Sequence, residues 1–317
     1  MVVMAVPMFS GCGEAKVYRI GISQILTHPA LDATRQGVID GMTEAGYIEG
    51  EDVEYDYQCS EGDMSLVATI AQQFVLDKVD AIVSIATPDS QASVSAAKDS
   101  DIPVIFSAIT DPVGAGLVVD WESHPDENVT GVSDMISVAD DVELIQRIVP
   151  GIQTLGTIYN AGESNSVFLT EKLLEACDAA GIDVIEETVS TSADILTAAN
   201  ALVGEVDAIW IGTDNTVVSG LEAVIGVCED NQIPLFASDD PSIERGCIAA
   251  WGFDYYDIGV QTGKMLARVL EAGGDATDIE VEKGEIIFLS VNTAAAERMG
   301  VTIPQDLLDI AAVIYEE

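Results

Sequence analysis

Short polar clusters follow apolar runs along this chain: Ser23-Gln24, Thr87, Thr110-Asp111, Asn160 with Glu163-Ser164-Asn165-Ser166, Thr213-Asp214-Asn215 and Ser238-Asp239. Two of them, Ser164 to Ser166 and Thr213 to Asn215, open helical patterns. Free N–H groups and the positive end of the helix dipole capture anions there. Carboxylates beside them suit a cation. Together the clusters describe a zwitterion such as an amino acid. Its carboxylate would rest on N–H and hydroxyl groups and its ammonium on Asp111, Asp214 or Asp239. Loss of Asp111 or Asp214 is therefore expected to weaken ligand binding about tenfold or more while the fold persists. Each cluster also has a plainer use, because Ser, Thr, Asp and Asn are the ordinary N-caps of helices. Tyr159 ends an apolar run, where it would serve as core or hinge or line an aromatic pocket.

Catalytic chemistry finds little support. The chain has two histidines, His28 and His124, and neither stands in a GxSxG, HExxH or metal-ligand context. His28 opens a loop-to-helix run, His28-Pro29-Ala30-Leu31-Asp32, and reads as a structural or cleft-lining residue. Cys59, Cys177, Cys228 and Cys247 show no CxxC or Cys/His spacing. Gly114-Ala115-Gly116 lacks the third glycine of a dinucleotide loop. The expectation is a protein that is not an enzyme and carries no cofactor and no metal.

The elements that must hold these clusters announce themselves twice. Val79-Asp80-Ala81-Ile82 opens an apolar run ending at Thr87, followed by Ile102-Pro103-Val104-Ile105-Phe106 and then Thr110-Asp111-Pro112. Val206-Asp207-Ala208-Ile209 opens another, ending at Thr213-Asp214-Asn215, followed by Ile233-Pro234-Leu235-Phe236 and then Asp239-Asp240-Pro241. A repeat this long is no solenoid; it indicates two similar α/β lobes with a ligand crevice between them.

Strand patterns fall at 17–22, 53–57, 80–86, 103–107, 155–159, 182–187, 207–211, 233–237 and 247–251. Helical patterns fall at 30–46, 64–77, 88–98, 141–149, 165–180, 193–203, 215–230 and 256–272. Strict alternation predicts parallel sheets covered on both faces. Breaks in the rhythm place chain crossings near 133, 253 and 289, the last before a closing helix at 293–299. The predicted fold is thus α/β, two Rossmann-like lobes with parallel sheets joined by a three-crossover hinge that bends without unfolding either lobe. Residues 17–132 with 253–288 form one lobe, and 133–252 with 289–317 the other.

Composition narrows the partners. Twelve basic against 55 acidic residues give a formal net charge of −43 over 317 residues. No basic patch of useful size can form, so nucleic acid is excluded as a partner. The acid is spread along the chain and reads as a solvated, self-repelling surface. Residues 1–16 look like a shortened export signal and tether: Met1 to Phe9 is apolar, and Phe9-Ser10-Gly11-Cys12 resembles a bacterial lipobox. Cys12 would then be the lipidated first residue, attaching an extracytoplasmic protein to the cell membrane.

Longer runs carry a family resemblance. They include Gly21-Ile22-Ser23-Gln24 with His28-Pro29-Ala30-Leu31-Asp32, Ile85-Ala86-Thr87-Pro88 and Thr110-Asp111-Pro112-Val113. Further along come Asn128-Val129-Thr130-Gly131 with Ser133-Asp134, Ile158-Tyr159-Asn160 with Gly162 to Ser166, Thr213 to Ser219, and Gly252-Phe253-Asp254-Tyr255-Tyr256. From about Val17 to Val301 the chain resembles solute-binding lipoproteins of ABC importers of the tryptophan-importer type. The resemblance implies a type I periplasmic-binding-protein fold, an aromatic amino acid as ligand, and delivery to a membrane permease with its ATPase, by a monomer. It also implies ligand contacts at Ala86-Thr87, Thr110-Asp111, Asn160 with Ser164 to Ser166, and Thr213-Asp214-Asn215. Asp239-Asp240-Pro241 departs from the family's Glu-Asp-Ser type of sequence. A sensor of the same fold, a sugar or nucleoside as ligand, and an enzyme on a similar scaffold are the competing readings.

Overall fold

The computed structural model describes residues 16–121 and 128–317; Cys12 and His124 lie outside the described residues. The first lobe runs β1 (Tyr18–Gln24), α1 (Pro29–Glu44), β2 (Val53–Cys59), α2 (Met64–Asp77), β3 (Ala81–Ile85), α3 (Thr87–Ala97), β4 (Val104–Ser107) and β5 (Val129–Ser133). The second adds α4 (Val138–Ile148), β6 (Thr154–Asn160), α5 (Ser164–Ala180), β7 (Asp183–Val189), α6 (Ile195–Ala201), β8 (Ala208–Ile211), α7 (Asn215–Ser219), α8 (Leu221–Asn231), β9 (Leu235–Ala237), α9 (Asp240–Arg245) and β10 (Ala249–Phe253). The chain then returns through α10 (Tyr255–Glu271) and β11 (Glu282–Lys283). It ends with β12 (Ile287–Asn292), α11 (Thr293–Arg298), α12 (Gln305–Leu308) and β13 (Val313–Tyr315).

Strands β3, β4 and β5 are buried along their whole length, as strands inside a parallel sheet covered on both faces must be. Their sheet has the order β11-β5-β4-β3-β1-β2, and every pairing in it is parallel. The second lobe holds a parallel sheet, β7-β6-β8-β9, and a smaller one, β10-β12-β13. Ile248 N–H donates to Leu235 O (2.8 Å), stitching the start of the smaller sheet to β9.

The two lobes, the alternation and the three-crossover hinge agree with the sequence expectation. One feature of the sheets does not: β10 pairs antiparallel with β12. Strands β5, β11, β12 and β13 carried too weak a pattern to be read as strands, β5 because Val-Thr-Gly-Val-Ser is short, β12 because its first residues are exposed. The predicted helix 215–230 is two, α7 and α8, broken at Gly220, where a Cβ would meet Ile195 Cδ1 at 2.7 Å.

The chain crosses between lobes after β5, after β10 and after β11. Beside the hinge, α1 and α10 cross with almost no separation. A Cβ on Gly37 would lie 2.1 Å from Tyr256 O and one on Gly259 2.1 Å from Thr34 O; Gly41 and Gly263 are as tightly faced. These four glycines bring α1 against the helix that starts the return through the hinge.

A cluster of polar side chains is buried beneath α3. Ser23, Ser84, Asp89, Ser90 and Ser93 are all buried there, and Ser84 and Ser90 share a hydrogen bond (2.9 Å). Neither oxygen of Asp89 meets a donor in good geometry, and burial pushes its carboxyl up to about 7. A carboxyl raised above its unfolded value binds more protons in the folded state, so its contribution falls as pH rises from about 4 to about 7 and stays lost above. Asp89→Asn should therefore raise the melting temperature by several degrees at pH 8 and little at pH 4.5. An equal gain at both values would mean that the carboxylate carries no such penalty.

Candidate functional site

A cavity lies between the lobes, at the carboxyl ends of the strands, where parallel α/β sheets place ligands. From the first lobe come His28, Ala30 and Leu31 at the start of α1, Thr87 at the start of α3, Ala108 and Thr110 after β4, and Tyr255 at the start of α10. Opposite stand Asp134 on the first crossing, Asn165 at the start of α5, Thr213-Asp214-Asn215 with Val218 around α7, and Asp239 before α9. The lobes touch across it. Thr110 Oγ1 and Thr213 Oγ1 share a hydrogen bond (3.2 Å), and Gln91 Nε2 donates to Ser164 Oγ (3.3 Å). The cleft is closed.

Of the residues predicted from sequence, Thr87, Thr110, Asn165, Thr213, Asp214, Asn215 and Asp239 reach the cavity wall. The others stand behind or beside it. Gln24 donates to Leu26 O (2.7 Å) and Asp32 Oδ1 (2.9 Å), bracing the loop that presents His28. Ser23 lies in the buried polar cluster under α3, beside Asp89. Asp111 faces a neighbouring surface cleft with Ser164 and accepts from Gly114 N–H (3.0 Å). Tyr159 turns away, its hydroxyl donating to Glu186 on β7 (3.2 Å), so it lines no aromatic pocket here. Asn160 N–H donates to Asp214 Oδ2 (2.6 Å), and Ser166 Oγ accepts from Asn165 Nδ2 (3.4 Å). Ala86, one residue from the wall, has φ 76° and ψ 160°, a region otherwise left to glycine. Strain of that kind, about 1–3 kcal/mol, is held only where packing enforces it. It turns the chain sharply from β3 into α3.

Helix starts divide into two kinds. Asp63, Ser137, Asp214, Asp239, Asp254 and Asn292 cap α2, α4, α7, α9, α10 and α11 with their side chains. Helices α1, α3 and α5, which present His28, Thr87 and Asn165 to the cavity, have no side-chain cap, nor do α6, α8 and α12 away from it. The predicted anion role of Thr213 to Asn215 is corrected by this. Glu163 accepts from the N–H groups of Asn215 (3.1 Å) and Thr216 (3.0 Å), and Asp214 from that of Val217 (2.7 Å). Carboxylates already fill that helix end, whereas no side chain caps α3 or α5, leaving the N–H groups of Thr87 and Asp89 (Pro88 has none) and of Ser164 to Ser166 without a capping oxygen.

Among the described residues, three carboxyls line the cavity wall and no lysine or arginine does. Both oxygens of Asp214 serve α7 and β6, and both of Asp239 serve Ser242. Asp134 differs. It accepts from the hydroxyls of Thr110 (3.3 Å) and Tyr255 (2.7 Å) and feels its own backbone N–H, and the two hydroxyl bonds tie β4's loop and two hinge crossings into one point. Its carboxyl keeps lone-pair capacity for a further donor. Burial pushes Asp134 up to about 6 and also raises Asp239; burial and then the neighbouring Glu163 raise Asp214. Arg245 is close enough to act on Asp239, and no such cation acts on Asp134 or Asp214; a buried acid without a counter-charge is a place for a cation. Asn165 Oδ1, buried and without a donor, adds one more acceptor.

Sequence reading missed Asp134, Tyr255, Leu31, Ala30, Ala108 and Val218 as cavity residues. Asp134 ended a short run that stopped before the helical pattern at 141–149 began, and Tyr255 read as core or hinge. The usable signal was their position at chain crossings.

Two α/β lobes, a three-stranded hinge and a polar cavity closed between them define a protein that binds a small solute and shuts over it. The family model of ABC transporter substrate binding proteins matches residues 19–314. The tyrosine-binding protein of Clostridioides difficile is 36% identical over 303 residues, covering 90% of this chain and 87% of that one. The chain belongs to the family of substrate-binding proteins of ABC transporters, extracytoplasmic solute-binding proteins that serve a permease. Among solved structures, an ABC domain from Streptococcus pneumoniae in complex with L-Trp is 37% identical with a TM-score of 0.89, over 94% of this chain and 100% of that one. The ligand-free, open structure of a substrate-binding protein with adhesive properties from Clostridium difficile is 34% identical with a TM-score of 0.70, over 95% and 100%. At nearly equal identity the better match is the liganded one, in keeping with the closed cleft.

The described cysteines, Cys59, Cys177, Cys228 and Cys247, are all unpaired thiols.

Proposed function

We propose that this chain is the binding component of an importer for an aromatic amino acid, held as a zwitterion. The reading rests on one observation above the others: the cavity joins the uncapped starts of α3 and α5 to an acid, Asp134, that still has lone pairs to offer. The ligand's carboxylate takes the N–H groups beside Thr87 and Asn165, with their polar side chains. Its ammonium takes Asp134 and Asn165 Oδ1, and its ring lies toward Leu31 and Val218. Because each lobe supplies part of this set, binding favours closure. The names of the Clostridioides difficile and Streptococcus relatives support an aromatic side chain. Residues 17–132 with 253–288 and 133–252 with 289–317 would move as the two lobes. Cys12 would anchor the chain by a lipid, and the monomer would meet its permease and ATPase at the membrane.

A thermal-shift screen of protein unfolded and refolded to strip carried ligand tests this. A rise confined to tyrosine, tryptophan or phenylalanine is expected, since a ligand bound only by the native state stabilises it by mass action. A rise with sugars or nucleosides instead would reject the zwitterion assignment.

A further inference from the structure

His28 has no role in the arrangement above, yet it is built into the wall. It is 8% exposed, and both ring nitrogens are buried without a hydrogen bond of normal geometry. Pro29 at the first helical position and the braced loop at Gln24 fix where it stands. Asn215 on the other lobe is a polar neighbour of the ring, and Leu31, on the same helix start, and Val218 bring apolar side chains to the same cavity. Burial lowers the imidazole to about 4, so at neutral pH the ring offers one N–H donor and one bare acceptor. Arg245 and Asp32, the charged groups near it, are already engaged, with Glu222 and with Gln24 and Arg35. A buried polar group left unmatched is costly, and native sites rarely tolerate one without a partner to come.

We propose that His28 reads the polar atom on the ligand's ring, a phenol hydroxyl or an indole N–H, and so selects against phenylalanine. The proposal rests on the aromatic-amino-acid reading. It follows from position: the ammonium and carboxylate sites occupy the Asp134 and Thr87–Asn165 sides, which leaves His28 as the unmatched polar group on the apolar side. A site built to bond a substrate's O–H or N–H discriminates strongly against the analogue lacking it.

Calorimetric titration of tyrosine, tryptophan and phenylalanine into the native chain, His28→Leu and His28→Gln tests it. The native chain should bind tyrosine or tryptophan about 10- to 100-fold more tightly than phenylalanine. His28→Leu should erase that ratio by weakening the preferred ligand with phenylalanine unchanged, and His28→Gln should restore part of it. Equal affinities in the native chain, or an equal loss for all three ligands in His28→Leu, would overturn the role of His28 alone. No binding of any of the three to the native chain would remove both this proposal and the reading beneath it.

Discussion

Asp134→Asn is expected to weaken amino-acid binding about 100-fold or more, with the melting temperature of the ligand-free protein held or raised. Truncating one member of a desolvated charge pair typically costs about 2–5 kcal/mol, most of it from the charge left unpaired. Here the ammonium would lose its only uncommitted carboxylate. The free protein loses nothing comparable, because Asp134 is already held up near 6 by burial and its hydroxyl partners can face an amide. Asp111→Ala should leave affinity within about threefold, since Asp111 stands outside the cavity and serves a turn. That reverses the sequence expectation for Asp111. Asp214→Ala would lower binding only along with stability, since it uncaps α7. The ionised form of Asp134 is the one that binds, so affinity should rise about tenfold from pH 5 to pH 7 in the native chain and stay flat in Asp134→Asn. Calorimetric titration of the refolded variants at both pH values measures all of this.

The second large effect is on the fold. Gly259→Ala should cost about 3 kcal/mol or more in denaturant unfolding, although alanine is the better helix former by about 1 kcal/mol. The added Cβ would fall 2.1 Å from Thr34 O, a backbone atom that cannot rotate away, so α1 and α10 must separate. Gly226→Ala is the control: it lies within α8 with nothing within 4 Å of the new Cβ, and it should gain up to about 1 kcal/mol. The same separation would shift Leu31 on α1 and His28 just before it relative to Tyr255 on α10. Ligand affinity should therefore fall in Gly259→Ala and hold in Gly226→Ala. Equal stability of the two variants would show that the helices have room to part.

The lobes and their hinge were legible because they rest on apolar periodicity, which buried parallel strands write strongly. Helix α2 was read at its observed bounds, since Asp63 caps its start and Lys78 ends it in a left-handed turn. The antiparallel β10–β12 pair was not legible, because strand direction depends on how distant segments meet. At the site, polar residues after strands were a sound first guess. What they do depends on who already occupies their oxygens: Asp214 and Asp239 are spent on helix caps, and Asp134 is not. Tyr159 and Tyr255 make the same point. Both lie near chain ends of regular elements, and only the three-dimensional path turns one to solvent-facing Glu186 and the other to Asp134.

The most direct test of the zwitterion assignment is to titrate the refolded protein with L-tryptophan, tryptamine and indole-3-propionate, and with the corresponding tyrosine set. Each analogue keeps the ring and drops one charge. The account predicts one-to-one binding of an amino acid at about micromolar affinity or tighter, with each analogue weaker by about 100-fold or more. Tryptamine or tyramine binding as tightly as its parent would contradict it, showing that the cavity's acids take a cation and that the open starts of α3 and α5 hold no carboxylate.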